Sequence, residues 1–316
     1  MGLFKKYPCP ICGEETTKFL ATKFEGKPLC GACGCKVLEL PGGSSALNAM
    51  TIDTLREYAA YYDENAALRS TFQESYRYKF GFLGDTIVLD VPNRFLRFGT
   101  GGGAIVFEAS EIRSFSILED EVPLFEGTKD ELICYQSAIP NKVRNLGPEI
   151  DRYNMEQRQY EQMERMEEML REKAKERGES YSSQYYSAPS ADRLKPFGYF
   201  NVKVELDSPY CQMHTCSQGA PGFSSIDPSI TSYLHDYDES VGKLHELATQ
   251  LMAILNADAP ERQVSIQEES DVRTTPVVSA APVDAVTEIQ RYKALLDSGA
   301  ITEEEFTAKK RQLLGI

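Results

Sequence analysis

Two Cys-x-x-Cys pairs near the start of the chain constrain its fold more than any other feature. Cys9-Pro-Ile-Cys12 is followed by 17 residues and then by Cys30-Gly-Ala-Cys33. Each pair brings two sulfurs to one place, and two pairs supply the four thiolates of a tetrahedral cation site. A segment this small buries too little apolar surface to fold by itself. A structural zinc ion contributes the missing free energy, on the order of 10 kcal/mol. Four sulfur ligands leave no open position, so the expected ion is structural: one Zn²⁺ on Cys9, Cys12, Cys30 and Cys33. The glycines Gly13, Gly31 and Gly34 suit tight turns at the two pairs. A redox pair or free thiols is the competing reading. Cys35 reads as a spare, with an exchange between Cys33 and Cys35 left open.

Cysteine usage and charge narrow the setting. Five of the eight cysteines fall between Cys9 and Cys35, and Cys134, Cys211 and Cys216 are scattered. The opening MGLFKKYPCP has no apolar core of a secretory signal, and Lys6 stands where a myristoylation motif needs Ser or Thr. A reducing, cytoplasmic setting is therefore expected rather than a disulfide framework. No run of eighteen apolar residues occurs, so no membrane-spanning helix is expected. The net charge is −14. An acidic chain is a poor partner for nucleic acid or an anionic membrane. Residues 1–38 carry six lysines against three glutamates. Four thiolates around a zinc ion reduce that excess to about +1.

Along the chain five segments are expected: a cysteine-rich module (1–38), a Gly/Ser linker (39–50), a body (51–256), a flexible tether (257–283) and a helical tail (284–316). The body opens with a helix over 52–74, capped by Thr51 or Asp53. Strands follow at 75–83, 86–91, 94–98, 104–108, 112–118 and 131–137. The run from Gly99 to Gly103 reads as a hairpin connection, since no Lys-Ser/Thr follows it as in a phosphate loop. Residues 148–177 are dense in Glu, Arg, Gln and Met and read as one helix with a thin apolar stripe. It is either solvated or a partner-binding arm. FGYFNVKVEL reads as a further strand. A helix over 228–256 carries Ile230, Leu234, Tyr237, Val241, Leu244, Ala248, Leu251 and Leu255 in alternating steps of four and three. That stripe suits a coiled-coil seam or, more commonly, packing on the domain's own sheet.

Other chemistry is sparse. Cys211, His214 and Cys216 make a cluster whose spacing matches no metal-ligand pattern, and a nucleophile–base pair there is the least poor enzymatic reading. His235 and His245 lie off the apolar stripe of their helix and read as solvated. No GxSxG, Walker loop, HExxH or dinucleotide fingerprint is present, so no catalytic residue and no small-molecule substrate is expected. In the tail, Asp284 caps a helix with Ile289, Tyr292 and Leu296, and Gly299 ends it. Thr302 and Glu305 form a capping box, with Ile301 and Phe306 as its hydrophobic staple. Ile289, Tyr292, Leu296, Ile301, Phe306, Leu313 and Leu314 give this hairpin an apolar face too large for some thirty residues to bury alone. The face is expected to bind a partner, most simply another copy of the chain.

The tail IQRYKALLDSGAITEEEFTAKKRQLLGI resembles the short C-terminal domain known as SHOCT. Such domains occur in bacterial proteins of unrelated function and are thought to mediate oligomerisation or docking. CPICG, KFLATKFEGKPLC and CGACG resemble an uncharacterised bacterial zinc-ribbon domain. The segments FQESYRYKFGFLGDTIVLDVPNRFLRF and ASEIRSFSILED, with the late strand and closing helix, resemble a PH/GRAM-like module carrying a helical insertion near 148–177. The resemblances together imply an α+β multi-domain protein: a small four-cysteine zinc ribbon, a β-rich body with long helices, and a C-terminal helical hairpin. The expected function is that of a non-enzymatic, cytoplasmic adaptor of bacterial or phage origin. Nucleic-acid binding through the ribbon and peripheral membrane binding through the body are the alternatives.

Overall fold

Residues 5–40 fold around their cysteines. In the computed structural model, which describes residues 5–81, 84–183 and 186–265, two short hairpins lead into a helix. β1 (Lys6–Pro8) pairs antiparallel with β2 (Glu15–Thr17), and β3 (Lys23–Phe24) with β4 (Lys27–Pro28). The second hairpin turns on Glu25 and Gly26, both at positive φ (48° and 75°), the conformation a two-residue hairpin loop needs. α1 (Gly31–Leu38) follows, with Cys30 as its N-cap. The stretch expected to be a Gly/Ser linker instead holds α2 (Gly43–Ala49).

α3 (Ile52–Glu64) begins at Thr51, whose hydroxyl and that of Thr54 cap each other's backbone N–H groups. Leu55, Tyr58 and Ala59 form its buried stripe. Where one helix was expected over 52–74, the chain breaks at Asn65 and resumes as α4 (Ala66–Thr71). The cause is visible in the Asn65 side chain. Its Nδ2 donates to Val106 O at 2.7 Å, and its Oδ1 accepts from Val106 N at 3.0 Å. Asn65 thus stands in for a neighbouring strand at an otherwise open sheet edge.

That sheet is a four-stranded antiparallel meander of β5 (Tyr76–Lys79), β6 (Thr86–Asp90), β7 (Phe95–Phe98) and β8 (Val106–Glu108). The glycine run links β7 to β8 as a hairpin connection. β9 (Ile112–Glu119), β10 (Val122–Thr128) and β11 (Leu132–Tyr135) then form a second meander. α5 (Ile139–Arg144) leads to α6 (Gly147–Glu176), of which only Ile150 and Tyr153 are buried. The chain returns through β12 (Tyr199–Leu206) beside β9, with Val202 opposite Ile117, and β13 (Met213–Gly219) beside β12.

α7 (Ile230–Asn256) packs across β9 and β10. It buries Tyr233, Tyr237, Leu244, Leu247, Ala248, Leu251, Met252, Ile254 and Leu255, a band wider than a coiled-coil seam. Arg94 donates to the carbonyls of Ile254 and Leu255 at 2.8 and 2.6 Å and so closes the helix's C-terminus. β14 (Glu261–Val264) completes the second sheet in the order β13-β12-β9-β10-β11-β14. It runs parallel to β11, where a flexible tether was expected from residue 257; residues 266–283 of that tether lie outside the described residues. The chain is therefore mixed α and β with several sheets. Among the described residues two hydrophobic cores result. The larger joins both sheets and α7, and the smaller joins Cys9, Cys30 and Cys33 to Leu55 and Tyr58 of α3.

Candidate metal centre

Cys9, Cys12, Cys30 and Cys33 come together with all four sulfurs within 4.8 Å of one another. The first pair sits on the turn after β1. Gly13 N donates to Cys9 O and Cys9 N donates to Glu14 O, both at 2.8 Å, and Gly13 holds φ +79°. The left-handed backbone there is what favours glycine.

The second pair departs from the sequence expectation of a matching turn. Cys30 and Cys33 lie at the N-terminus of α1, where Cys33 N approaches Cys30 Sγ at 3.5 Å. Neither Gly31 nor Gly34 has positive φ. A Cβ on Gly34 would stand 3.3 Å from Thr22 Oγ1, so close packing is its constraint. A helix N-terminus directs free backbone N–H groups and a partial positive charge at the sulfurs, which favours thiolates.

Cys9, Cys30 and Cys33 are buried and Cys12 is exposed. Burial raises the Cys9 thiol, but backbone groups of Cys12, Cys30 and Ile11 together lower it to about 7. Burial raises Cys33, and the neighbouring sulfurs of Cys12 and Cys30 raise it further. Sulfurs crowded together without a cation oppose each other's ionisation, and a bound cation reverses that. Cys12 Sγ and Cys30 Sγ are 3.5 Å apart. The soft donor set and its spacing are compatible with a metal site. Cys35 is exposed on α1 and outside the cluster.

The module is clamped to the rest of the chain. Arg56 of α3 donates twice to Pro10 O at 3.0 and 2.8 Å, inside the first Cys-x-x-Cys turn. Tyr58 donates to Lys36 O at 3.2 Å, and Lys36 pairs with Asp63 at 2.5 Å. Tyr210 packs edge-on against Tyr58, ring centres 5.1 Å apart.

The second cluster seen in the sequence is divided by the fold. His214 and Cys216 share one face of β13 and meet Asp85, while Cys211 lies outside the grouping. The His214 ring stacks on Phe98 with centres 3.8 Å apart, and its Nε2 stands 3.7 Å from Asp85, too far for a hydrogen bond. Burial lowers the imidazole's pKa, with Asp85 acting against it. Burial pushes the Cys216 thiol up to about 12, so it is no ready nucleophile.

A third grouping has no sequence signature. Cys134, His245 and Glu261 come from β11, α7 and β14, with their ligand atoms within 4.8 Å of one another. His245 is half-buried rather than solvated as expected. Only the pairing of β14 with β11 brings Glu261 to it.

The expected partner-binding residues Ile289, Tyr292, Leu296, Ile301, Phe306, Leu313 and Leu314 lie outside the described residues. That segment matches a family model, the short C-terminal domain SHOCT, over residues 287–314. No curated protein and no solved structure matches the chain. Among the described residues no helix is long and apolar enough to cross a membrane.

Proposed function

We propose that this chain is a non-enzymatic interaction protein whose N-terminal module is stapled by one structural zinc ion. The observation that carries the reading is the four-sulfur set, of which Cys9, Cys30 and Cys33 sit in the small core with Leu55 and Tyr58. Sulfur–sulfur edges of a zinc tetrahedron measure about 3.8 Å, and the Cys12–Cys30 separation of 3.5 Å is close to that. Four thiolates fill the ion's shell, so its work is mechanical. It holds the two hairpins and α1 against α3 and presents their outer surface.

That surface supports a docking role. Phe19, Leu20 and Leu38 are 63, 91 and 73% exposed on the metal module. On α6, Met155, Met166, Met169 and Leu170 are about half exposed. Methionine adapts readily to a partner's surface. The SHOCT tail adds a self-association element in this reading, with a homo-oligomer as the simplest product.

The body reads as a PH/GRAM-like platform: two antiparallel meanders, an insertion around α6, and a long closing helix. Its arginines favour a protein platform over a lipid-headgroup site. Arg77 is paired with Glu74 at 2.5 Å, Arg94 caps α7, Arg97 lies over the Phe72 ring, and Arg113 faces Asp207 at 3.4 Å.

Native mass spectrometry before and after chelation tests the metal, and light scattering with and without residues 284–316 tests the assembly. Zinc bound through Cys9, Cys12, Cys30 and Cys33 and a multimer that dissociates on tail removal are expected. Metal content unchanged by Cys12→Ser, Cys33→Ser, or equal masses with and without the tail, overturns the corresponding half.

A further inference from the structure

The β14 edge of the large sheet gathers donors of the kind that hold a metal. In the parallel register Cys134 pairs with Gln263 and Leu132 with Glu261. Residues two apart share a face of a strand, so Glu261 and Gln263 point the same way. α7 lays His245 over this corner, its ring 5.3 Å from that of Phe125 on β10.

The three side chains converge on one oxygen. Glu261 Oε1 stands 3.4 Å from Cys134 Sγ and 3.4 Å from His245 Nε2. Zinc bonds are about 2.3 Å to sulfur and about 2.0–2.2 Å to nitrogen and oxygen, so ligands around a tetrahedral ion stand about 3.3–3.6 Å apart. Both measured edges fall in that range. Gln263 Nε2 donates to the same oxygen at 2.9 Å and fixes the carboxylate's orientation. Charge also closes. One thiolate and one carboxylate offset a divalent ion, and the imidazole is neutral.

Burial is graded across the three. Cys134 is 3% exposed, whereas the His245 and Glu261 side chains are 40 and 41% exposed. All three line a groove of about 650 Å³, together with Ser137, Arg144 and Tyr237. An ion among them has the protein on three sides and the groove on the fourth.

We propose that Cys134, His245 and Glu261 form a second metal site, for a divalent ion of the zinc class, with its fourth position open to the groove. Water or a small anion from the groove completes the shell. On binding, the Cys134 S–H bond breaks, its proton leaves to solvent, and a sulfur–metal bond takes its place. Gln263 acts as a positioning residue. Its replacement by leucine is expected to weaken binding about 10–100-fold while leaving the ligand count unchanged. The inference is independent of the four-cysteine reading, and the two fail separately.

The test is zinc stoichiometry by native mass spectrometry on the full chain, with Co²⁺ absorption as a second readout. Two zinc ions per wild-type chain are expected, falling to one in His245→Ala and in Glu261→Gln. These half-exposed positions allow folding to be checked by circular dichroism. A Cys12→Ser, Cys33→Ser chain should keep one ion, and its Co²⁺ form should show a sulfur–cobalt charge-transfer band that His245→Ala weakens. Stoichiometry unchanged by both His245→Ala and Glu261→Gln overturns the proposal and leaves a hydrogen-bonded triad. So does a wild-type chain whose single ion is lost with Cys12 and Cys33. A single ion that survives loss of Cys12 and Cys33 but not of His245 supports this site and sinks the four-cysteine one.

Discussion

The two cysteine-bearing corners of this molecule are built in opposite ways. The N-terminal cluster draws four sulfurs from 25 consecutive residues and rests on short hairpins with a small core. The Cys134–His245–Glu261 corner draws three unlike atoms from residues 134 to 261 and rests on a six-stranded sheet and a 27-residue helix. In the reading proposed above, metal on the first set makes the fold; in the second, the fold brings the donors together. Loss of metal should therefore dismantle one corner and leave the other standing.

Chelation gives the largest expected contrast. A structural zinc ion is worth on the order of 10 kcal/mol to a small module. Hydrogen exchange should show protection lost across β1 to α1 and kept in β9 and β12. Protection that survives chelation in the first forty residues would break the comparison. Gly127→Ala probes the other side. A Cβ there would stand 2.1 Å from Phe115 Cε1 and 2.9 Å from Met252 Sδ. Overpacking of this kind costs about 1–3 kcal/mol. Denaturant unfolding should show that loss in the body, with zinc affinity at the four-cysteine cluster unchanged.

Smaller effects test the joint between the regions. Tyr58→Phe removes the hydrogen bond to Lys36 O and should cost about 0.5–1.5 kcal/mol, read as faster exchange in α1 and α3 together. A loss confined to one of them would mean that the regions are not coupled there. The last test is pH. Glu119 is buried, and burial raises its carboxyl above the ordinary range, with donors Ser137 and Tyr237 acting against this. Between the ordinary and the raised value the folded chain holds a proton that the unfolded chain has released. This contribution is full below that window and is lost as pH rises through it. Glu119→Gln should flatten the dependence of melting temperature on pH in that window. An unchanged slope would remove Glu119 from the account.

What could be read ahead of the structure follows the same division. The four-cysteine set was legible because its ligands are neighbours with a recognisable spacing, and α7 because its apolar steps repeat. The helical seat of Cys30 and Cys33 was hidden, since GACGCKVL carries two glycines and two cysteines, poor helix formers that caps and packing override. β10 was hidden by Pro123 and Gly127, which read as breaks; a bulge between Pro123 and Phe125 accommodates the proline. β14 was hidden because Glu261, Arg262 and Gln263 are polar, and only pairing with β11 makes them a strand. The site at His245 was illegible for that reason. One of its three ligands sits on a strand that exists only through its neighbour.

α6 has a mechanical consequence. Thirty helical residues span about 45 Å at 1.5 Å each. Near its start, Tyr153 and Gln157 both donate to Ser225 O, and Glu156 pairs with Arg193. Some nineteen residues run past Gln157, about 28 Å of helix. A tilt of about ten degrees at the anchor displaces its tip by about 5 Å. A fluorophore near Glu176 would therefore report, magnified, on any event that shifts Ser225 or Arg193.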